Sequence, residues 1–485
     1  MKRLVIIGAG ISGLCAAHEA ARYRSKAADG FEILVLEASS KVGGKARTVK
    51  RDGWLIEAGP TGYLDNEPEF NKLLEQNGIL HEKVQANDAA ARRYLLHSRL
   101  REIKTHPLAF ARSRIIGPIG MLRMMAEPFV PRAKPERVAL ESIWDFASRR
   151  LGVAAANKLI APMVLGVFAG DARQLSVSAS FPNLVALERD YGSLTRGMIA
   201  SRRKGPSNQG PRSGLSGKLV SFRRGLQSVA VALAESDKFT VRCDTKVQKI
   251  EAITTAHGSN DRRPPRYRLL IDGIDSSIEA NAVVAAGEAC ANAHTVKKVA
   301  PEVAMALSEI TTPPVVVVAL GFRPQAALNF PTGFGVLIPR DQGYRTLGCI
   351  WDSQLFPERS PKDHVLLRAM LGGSVDPDVA HLDDDSLVEL VSDELARIFG
   401  LTSLPILSEV TKWPFAIPQY DLGHPLRVAR IEAALERTPG LFLAGNGLHG
   451  VAFSKSAVTG IDQGRRAARW LGGIPNAPGT DPKER

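Results

Sequence analysis

The chain opens on Lys2-Arg3-Leu4-Val5-Ile6-Ile7-Gly8-Ala9-Gly10-Ile11-Ser12-Gly13-Leu14, an apolar strand that runs straight into G-x-G-x-x-G and then into helix-forming residues. Gly8 permits a tight turn, Gly10 lets backbone approach a pyrophosphate, and Gly13 lets the helix pack close to the strand. The N–H groups of that helix start, and its positive dipole end, then face the phosphates. Alone the pattern is weak. It is strengthened by Phe31-Glu32-Ile33-Leu34-Val35-Leu36-Glu37-Ala38, a second apolar strand ending in an acid. Glu37 stands where a carboxylate accepts the ribose hydroxyls of an adenine dinucleotide. The fold class this predicts is α/β, with a Rossmann-like nucleotide-binding sheet.

At 485 residues the chain exceeds one typical core, so two or three domains are expected. An apolar fraction of 44% and a charged fraction of 23% are those of a globular protein rather than a disordered one. Cys15, Cys243, Cys290 and Cys349 show neither pairing nor metal-ligand spacing. That fits a reducing, cytoplasmic compartment and no metal site. Lys2-Arg3 before apolar residues could pass for a signal peptide, but the glycines make it a buried first strand. No stretch approaches the roughly 18 apolar residues that span a bilayer.

Net charge is +13 and unevenly placed. Residues 91–140 hold eleven Lys or Arg, among them Arg112, Arg114 and Arg123, against Glu102, Glu127 and Glu136. Apolar Ile115–Leu122 and Met124-Met125 lie among them. The mixture suits an anionic membrane surface, and a solvated helical face over an ordinary core is the alternative. Nucleic acid fits less well, because stacking aromatics are sparse and no nucleic-acid motif appears.

Residues 140–200 read mostly helical, and residues 201–218 are rich in Gly, Pro, Ser and basic residues. Strand patterns return at 238–250, 266–286 and 313–372, with Val315–Leu320 and Phe334–Ile338 the clearest of the last group. Val283–Ala286 and Leu441–Ala444 are short buried strands of the kind that rejoin a nucleotide-binding sheet. A helix over about Ile461–Leu471 closes the chain. The nucleotide-binding domain is therefore expected to be discontinuous.

Beyond Glu37 come Gly43-Gly44-Lys45 and then Ala58-Gly59-Pro60-Thr61-Gly62. With the opening motif, these resemble the flavin family of amine oxidases, phytoene desaturases and protoporphyrinogen oxidases. Within it, three blocks are similar to the protoporphyrinogen/coproporphyrinogen oxidases. They are Gly166-Val167-Phe168-Ala169-Gly170-Asp171, Gly333–Pro339 with Leu355–Arg359, and Lys412–His424, whose Ile417-Pro418-Gln419-Tyr420 is the most specific. The resemblance implies FAD held by Gly8–Gly13, Glu37, Ala38, Gly44, Lys45, Gly59–Gly62, Val247, Trp413, Gly445, Val451, Ala452 and Phe453. It implies a porphyrinogen against Thr61, Gly166 and Phe334. It also implies domains: FAD-binding at 1–80, 219–294 and 425–473, and an inserted α+β substrate domain at 81–90, 180–200 and 295–424. A helical membrane-associating domain spans 91–179, with a flexible loop at 201–218 and a tail at 474–485.

Two departures stand out. Thr61 replaces an arginine that some family members carry there, so either another basic residue pairs with a substrate propionate or the contact there is only polar. Ala452–Ala457 replaces the Asp-Cys pair more often found in the family, which leaves Lys455 without an assigned role. The implied reaction is oxygen-consuming six-electron oxidation of protoporphyrinogen IX, with hydrogen peroxide released and FAD taking two electrons per cycle. Coproporphyrinogen III is the alternative substrate. A phytoene desaturase-like enzyme and a non-catalytic flavoprotein-fold binder are remoter. The expected partners are the porphyrinogen, oxygen and the inner membrane surface, with a homodimer open. No constellation demands a general acid or base, so no catalytic side chain is assigned.

Overall fold

The computed structural model describes residues 2–24, 30–104, 107–203, 218–253, 266–273, 277–324 and 330–473. Most of the expected loop at 201–218, and the tail at 474–485, lie outside them.

Strand Lys2–Ile7 is the middle of a five-stranded parallel sheet, flanked by Phe31–Leu36 and Thr240–Arg242 on one side and by Ala282–Ala285 and Leu441–Leu443 on the other. Taken in chain order, the strands run third, second, first, fourth, fifth across the sheet, the order of a dinucleotide-binding sheet without its sixth strand. The fourth and fifth arrive from distant parts of the chain. Helix Ile11–Arg24 covers one face, with helix Phe453–Gly472 lying on top of it.

That last helix starts eight residues before its expected Ile461 and uses glycines where it crosses the first. A Cβ on Gly460 would lie 2.0 Å from the Ser12 carbonyl oxygen, and one on Gly464 would lie 2.2 Å from that of Ala16. Gly460→Ala should therefore cost about 2 kcal/mol, the middle of the range for overpacking a tight core. Thermal melts check this, and an unchanged midpoint would contradict the close crossing.

The larger sheet has seven strands in the order Leu407–Trp413, Val315–Phe322, Val365–Gly372, Gly348–Ile350, Gly335–Leu337, Tyr94–His97 and Arg99–Glu102. All neighbours pair antiparallel except Gly335–Leu337 with Tyr94–His97, which pair parallel. Within the helical domain expected at 91–179, residues 94–102 are strands of this sheet. Residues 94–102 form a hairpin on the sheet edge, turned at Ser98 with φ 56°.

Residues 180–200, expected in the substrate-binding domain, pack through Leu187 and Leu194 with Val138, Ile143, Phe146 and Val164 of the helical layer, and Leu184 and Met198 among them line the cavity described below. Strand Lys83–Gln85 pairs with Leu219–Phe222, not with the larger sheet. Among the described residues no helix is long and apolar enough to cross a membrane.

Candidate active site

The opening loop has the geometry its glycines require. A Cβ on Gly13 would sit 1.9 Å from the Gly8 carbonyl oxygen, so helix and strand approach as closely as backbone permits. Gly10 differs: no heavy atom lies within 4 Å of its Cβ position. The loop is held from its sides and open at Gly10. Gly43 donates its N–H to the Ala9 carbonyl at 2.9 Å, and a Cβ on Gly44 would lie 3.5 Å from the Gly10 Cα. The two glycine motifs therefore touch.

Glu37 ends its strand almost fully buried, accepting from the backbone N–H of Ala9 at 2.7 Å and of Ser39 at 2.9 Å. Each carboxylate oxygen keeps a lone pair for a further donor. Thr245 donates its N–H to the Glu37 carbonyl at 2.8 Å, which brings Val247 beside this end of the cleft. Gly445, with φ 106°, lies against Gly287 just past the fourth strand. Val451 and Ala452 precede the N-terminus of helix Phe453–Gly472, where no side chain caps the free N–H groups. The Phe453 ring is core, 5.5 Å from Tyr63 and 5.9 Å from Phe70, so only its backbone is available there. Lys45 is already engaged, donating to the Ala416 carbonyl at 2.7 Å and standing 3.1 Å from Glu288.

The turn at Ala58–Thr61 is clamped carbonyl by carbonyl. Trp413 Nε1 donates to Ala58 at 2.6 Å, Arg368 to Gly59 at 2.7 Å, and Ser221 Oγ to Thr61 at 3.0 Å. Arg368 is itself fixed by Asp352 at 2.7 Å, and Ser221 accepts from Arg359 at 2.7 Å. Arg359 also pairs with Glu57 at 3.0 Å. Burial pushes the Glu57 carboxyl up, and the Arg359 guanidinium pulls it back. With Pro60 and Gly62 the turn presents a fixed edge. Thr61 Oγ1 is buried without a hydrogen-bond partner among the described atoms.

A cavity of about 1890 Å³ adjoins this turn. Gly62, Val451 and Ala452 reach it from the nucleotide side, Arg368 and Phe334 from the larger sheet, and Gly166 from the helices. Thr61 is buried and is not among its lining residues, whereas the next residue, Gly62, is. Gly166 does line it, although its Cβ position faces Leu337 Cδ2 at 2.3 Å, so the glycine serves helix–sheet packing as well.

Arg93 was missed by sequence reasoning. It lines the cavity with its guanidinium 5.2 Å from the Phe334 ring centre, and no carboxylate pairs with it among the described residues. Desolvation lowers its affinity for a proton, but the group stays charged.

The Ile417–Tyr420 block ties the site together. Gln419 donates to the Phe168 carbonyl at 2.9 Å, and the Tyr420 hydroxyl donates to the Asn446 carbonyl. His424 stacks on Tyr420 with ring centres 4.0 Å apart and bonds the Leu448 carbonyl through Nε2 at 2.9 Å. A carbonyl only accepts, so Nε2 carries the proton and buried Nδ1 the lone pair. Burial lowers the pKa to about 4, as it does for His18.

For both histidines the folded pKa lies below the unfolded one, so the unfolded chain binds more protons between these values. Stability is then full above about pH 6.5 and falls toward pH 4, by up to about 3 kcal/mol per residue. Urea melts at pH 7 and pH 5 should show the drop, and His18→Gln should shrink it. A pH-independent midpoint would contradict buried neutral histidines.

Residues 11–471 match the family described as flavin containing amine oxidoreductase. The chain belongs to this flavin-containing amine oxidoreductase family. Its cofactor is FAD, and open Gly10, the Glu37 carboxylate and the orphaned Thr61 hydroxyl fit that group. Protoporphyrinogen oxidase from the Oryza sativa subsp. japonica chloroplast is 31% identical over 488 residues, covering 96% of this chain and 88% of that one. Coproporphyrinogen III oxidase of Bacillus subtilis (strain 168) is 29% identical over 477 residues, covering 96% and 97%. A solved structure from Exiguobacterium sp. 255-15, provisionally named a protoporphyrinogen oxidase, superposes with a TM-score of 0.79 at 26% identity, covering 98% of this chain and 99% of that one. Within the flavin-containing family, the chain is thus similar to oxidases of both porphyrinogens.

Proposed function

We propose that this chain oxidises a porphyrinogen to the porphyrin by six electrons, with oxygen as the final acceptor. The observation that carries the reading is the cavity beside the clamped turn, with Arg93, which has no carboxylate partner among the described residues, held over Phe334. A porphyrinogen is a broad apolar macrocycle with carboxylate arms, and the cavity offers apolar walls and a free guanidinium. Bound FAD supplies a two-electron acceptor that oxygen regenerates.

The chain's own residues position the reactants. Arg93 pairs with a propionate, and Phe334 lies against the ring system. Arg368 holds the Gly59 carbonyl from the cavity side, so the turn keeps its place while the substrate reorients between cycles. Enclosure by the larger sheet and the helices limits water at the reacting carbon. The reading is tested by aerobic assay. Purified yellow protein should convert a porphyrinogen to fluorescent porphyrin well above autoxidation, releasing hydrogen peroxide. A rate equal to autoxidation on both protoporphyrinogen IX and coproporphyrinogen III overturns it.

A peripheral position on an anionic membrane surface belongs to the same proposal. The run Ile115–Leu122 divides: Ile115 and Ile116 are buried, whereas Ile119 and Leu122 are 83% and 70% exposed, joined by Phe129 at 82%. Val167 and Met198 are exposed and also line the cavity, so its mouth is continuous with outward-facing apolar surface. Exposed Arg112 and Arg114 add charge. Arg123 does not, because it donates to the Arg149 and Arg150 carbonyls at the end of helix Ile143–Leu151. Serine at Ile119, Leu122 and Phe129 should remove about 2 kcal/mol of membrane affinity per side chain. Co-sedimentation with anionic vesicles checks it, and equal sedimentation of wild type and variant would contradict it.

A further inference from the structure

The charged residues that line the cavity, apart from the histidines, are Glu67, Asp88, Arg93, Lys218, Arg368 and Lys455. Arg368 is committed to Asp352 at 2.7 Å, and Lys455 to Glu67 at 2.6 Å. Arg93 and Lys218 remain as cations without a carboxylate partner among the described residues, and Asp88 pairs with neither.

The backbone of Lys218 is fixed. Its carbonyl accepts from the Asp65 N–H at 2.9 Å, and it leads directly into Leu219–Phe222, the central strand of a three-stranded sheet. That strand connects Lys218 to two sides of the site. Toward the clamped turn, Leu219 and Val220 pair with Leu64 and Tyr63, and Ser221 Oγ donates to the Thr61 carbonyl at 3.0 Å. Lys218 stands roughly 10 Å of extended chain from Ser221. Toward Arg93, the Leu219 carbonyl accepts from the Ala86 N–H at 2.9 Å, and Leu219 and Phe334 both pack on the cluster of Ala86, Leu355 and Phe356. Phe334 in turn donates its N–H to the Arg92 carbonyl at 2.7 Å, and its ring centre lies 5.2 Å from the Arg93 guanidinium. One stretch of wall thus carries both cations.

We propose that Lys218 is the second carboxylate-binding residue of the substrate site, and that Arg93 and Lys218 take two neighbouring propionate arms of one macrocycle. The inference rests on the porphyrinogen reading above. Protoporphyrinogen IX carries its two propionates on adjacent rings, and coproporphyrinogen III has such a pair among its four, so the assignment holds for either. Lys218 is exposed, so an arm reaches it without being stripped of water. Such a pair adds little affinity. What it adds is orientation: one held arm leaves the macrocycle free to swing about it, whereas two fix which edge faces this wall. Exposed pairs also break readily, so the substrate can still reorient between cycles.

The test uses the flavin-loaded protein with whichever of the two porphyrinogens it turns over, and with the same compound methyl-esterified at every carboxyl. KM is measured with autoxidation subtracted, or Ki for a form that is not turned over. Lys218→Met should raise KM for the acid about fivefold, the upper end for an exposed ion pair, and high salt should shrink the effect. The constant for the ester should not move, because the ester offers no carboxylate. Lys218→Arg should restore the wild-type KM. Combining Lys218→Met with Arg93→Ala should multiply the two losses, since each cation holds its own arm. Retained flavin absorbance shows that each variant is folded. An unchanged KM for the acid in Lys218→Met overturns the inference. So does an equal rise for the ester, which would mark a packing role for the lysine stem, and so does a double variant no worse than Arg93→Ala alone. These outcomes leave the porphyrinogen reading standing. Wild-type turnover of neither porphyrinogen removes that reading, and this inference with it.

Discussion

Gly10→Val is expected to give a folded, colourless protein. The Cβ position meets nothing within 4 Å, and Gly10 does not have the positive φ that would strain another residue. The apoprotein should therefore melt within a few degrees of wild-type apoprotein. The added methyls enter the space a pyrophosphate needs, at a cost of about 3 kcal/mol, the upper end for forcing atoms into filled space. That is roughly a 100-fold loss of FAD affinity. The contrast with Gly13→Val makes the result diagnostic, because there a Cβ meets the Gly8 carbonyl oxygen and the fold itself must yield. Flavin absorbance after gel filtration, with a thermal melt of each apoprotein, separates the two. A Gly10→Val protein that keeps full flavin would show that the pyrophosphate does not pass here.

Arg93→Ala should lower kcat/KM for the porphyrinogen by about 10- to 100-fold, since a hydrogen bond to a charged group contributes about 1.5–3 kcal/mol. The loss should fall mainly on KM, because Arg93 grips a substrate arm remote from the reacting carbon. Flavin content should not change, as Arg93 touches none of the glycine motifs. Arg93→Lys should recover part of the loss, keeping the charge without the fork. Steady-state kinetics check this, and an unaltered KM in Arg93→Ala would remove the guanidinium from the substrate's site.

The nucleotide-binding half was legible because its signals are local. Lys2–Ile7, the three glycines and the strand ending at Glu37 are consecutive, and each residue's task follows from backbone geometry. The C-terminal segment was legible only through resemblance. Gly445 and Val451 carry no pattern of their own, and Phe453 proved to be a core ring. Arg93 was hidden for a different reason. In the sequence it is one of eleven basic residues in a charged stretch, and its value depends on Phe334 and on having no carboxylate partner among the described residues, both set by tertiary packing. The hairpin at 94–102 was missed because its partner strand, Gly335–Leu337, lies far along the chain. Arg99-Leu100-Arg101-Glu102 does carry a brief alternation that could have signalled a strand.

The ion pairs around the turn show how the two halves are joined. Glu57–Arg359 and Asp352–Arg368 are both buried and link the 58–61 turn to the larger sheet. Breaking a buried pair leaves an uncompensated charge, so these residues couple the position of the flavin edge to the cavity wall.

The most direct measurement mixes the oxidised holoprotein with a porphyrinogen in the absence of oxygen and follows the flavin absorption band. The account predicts rapid bleaching, faster than porphyrin appears in a protein-free control, with colour restored when oxygen is admitted. A flavin band that stays oxidised in the presence of protoporphyrinogen IX and of coproporphyrinogen III would contradict the central claim.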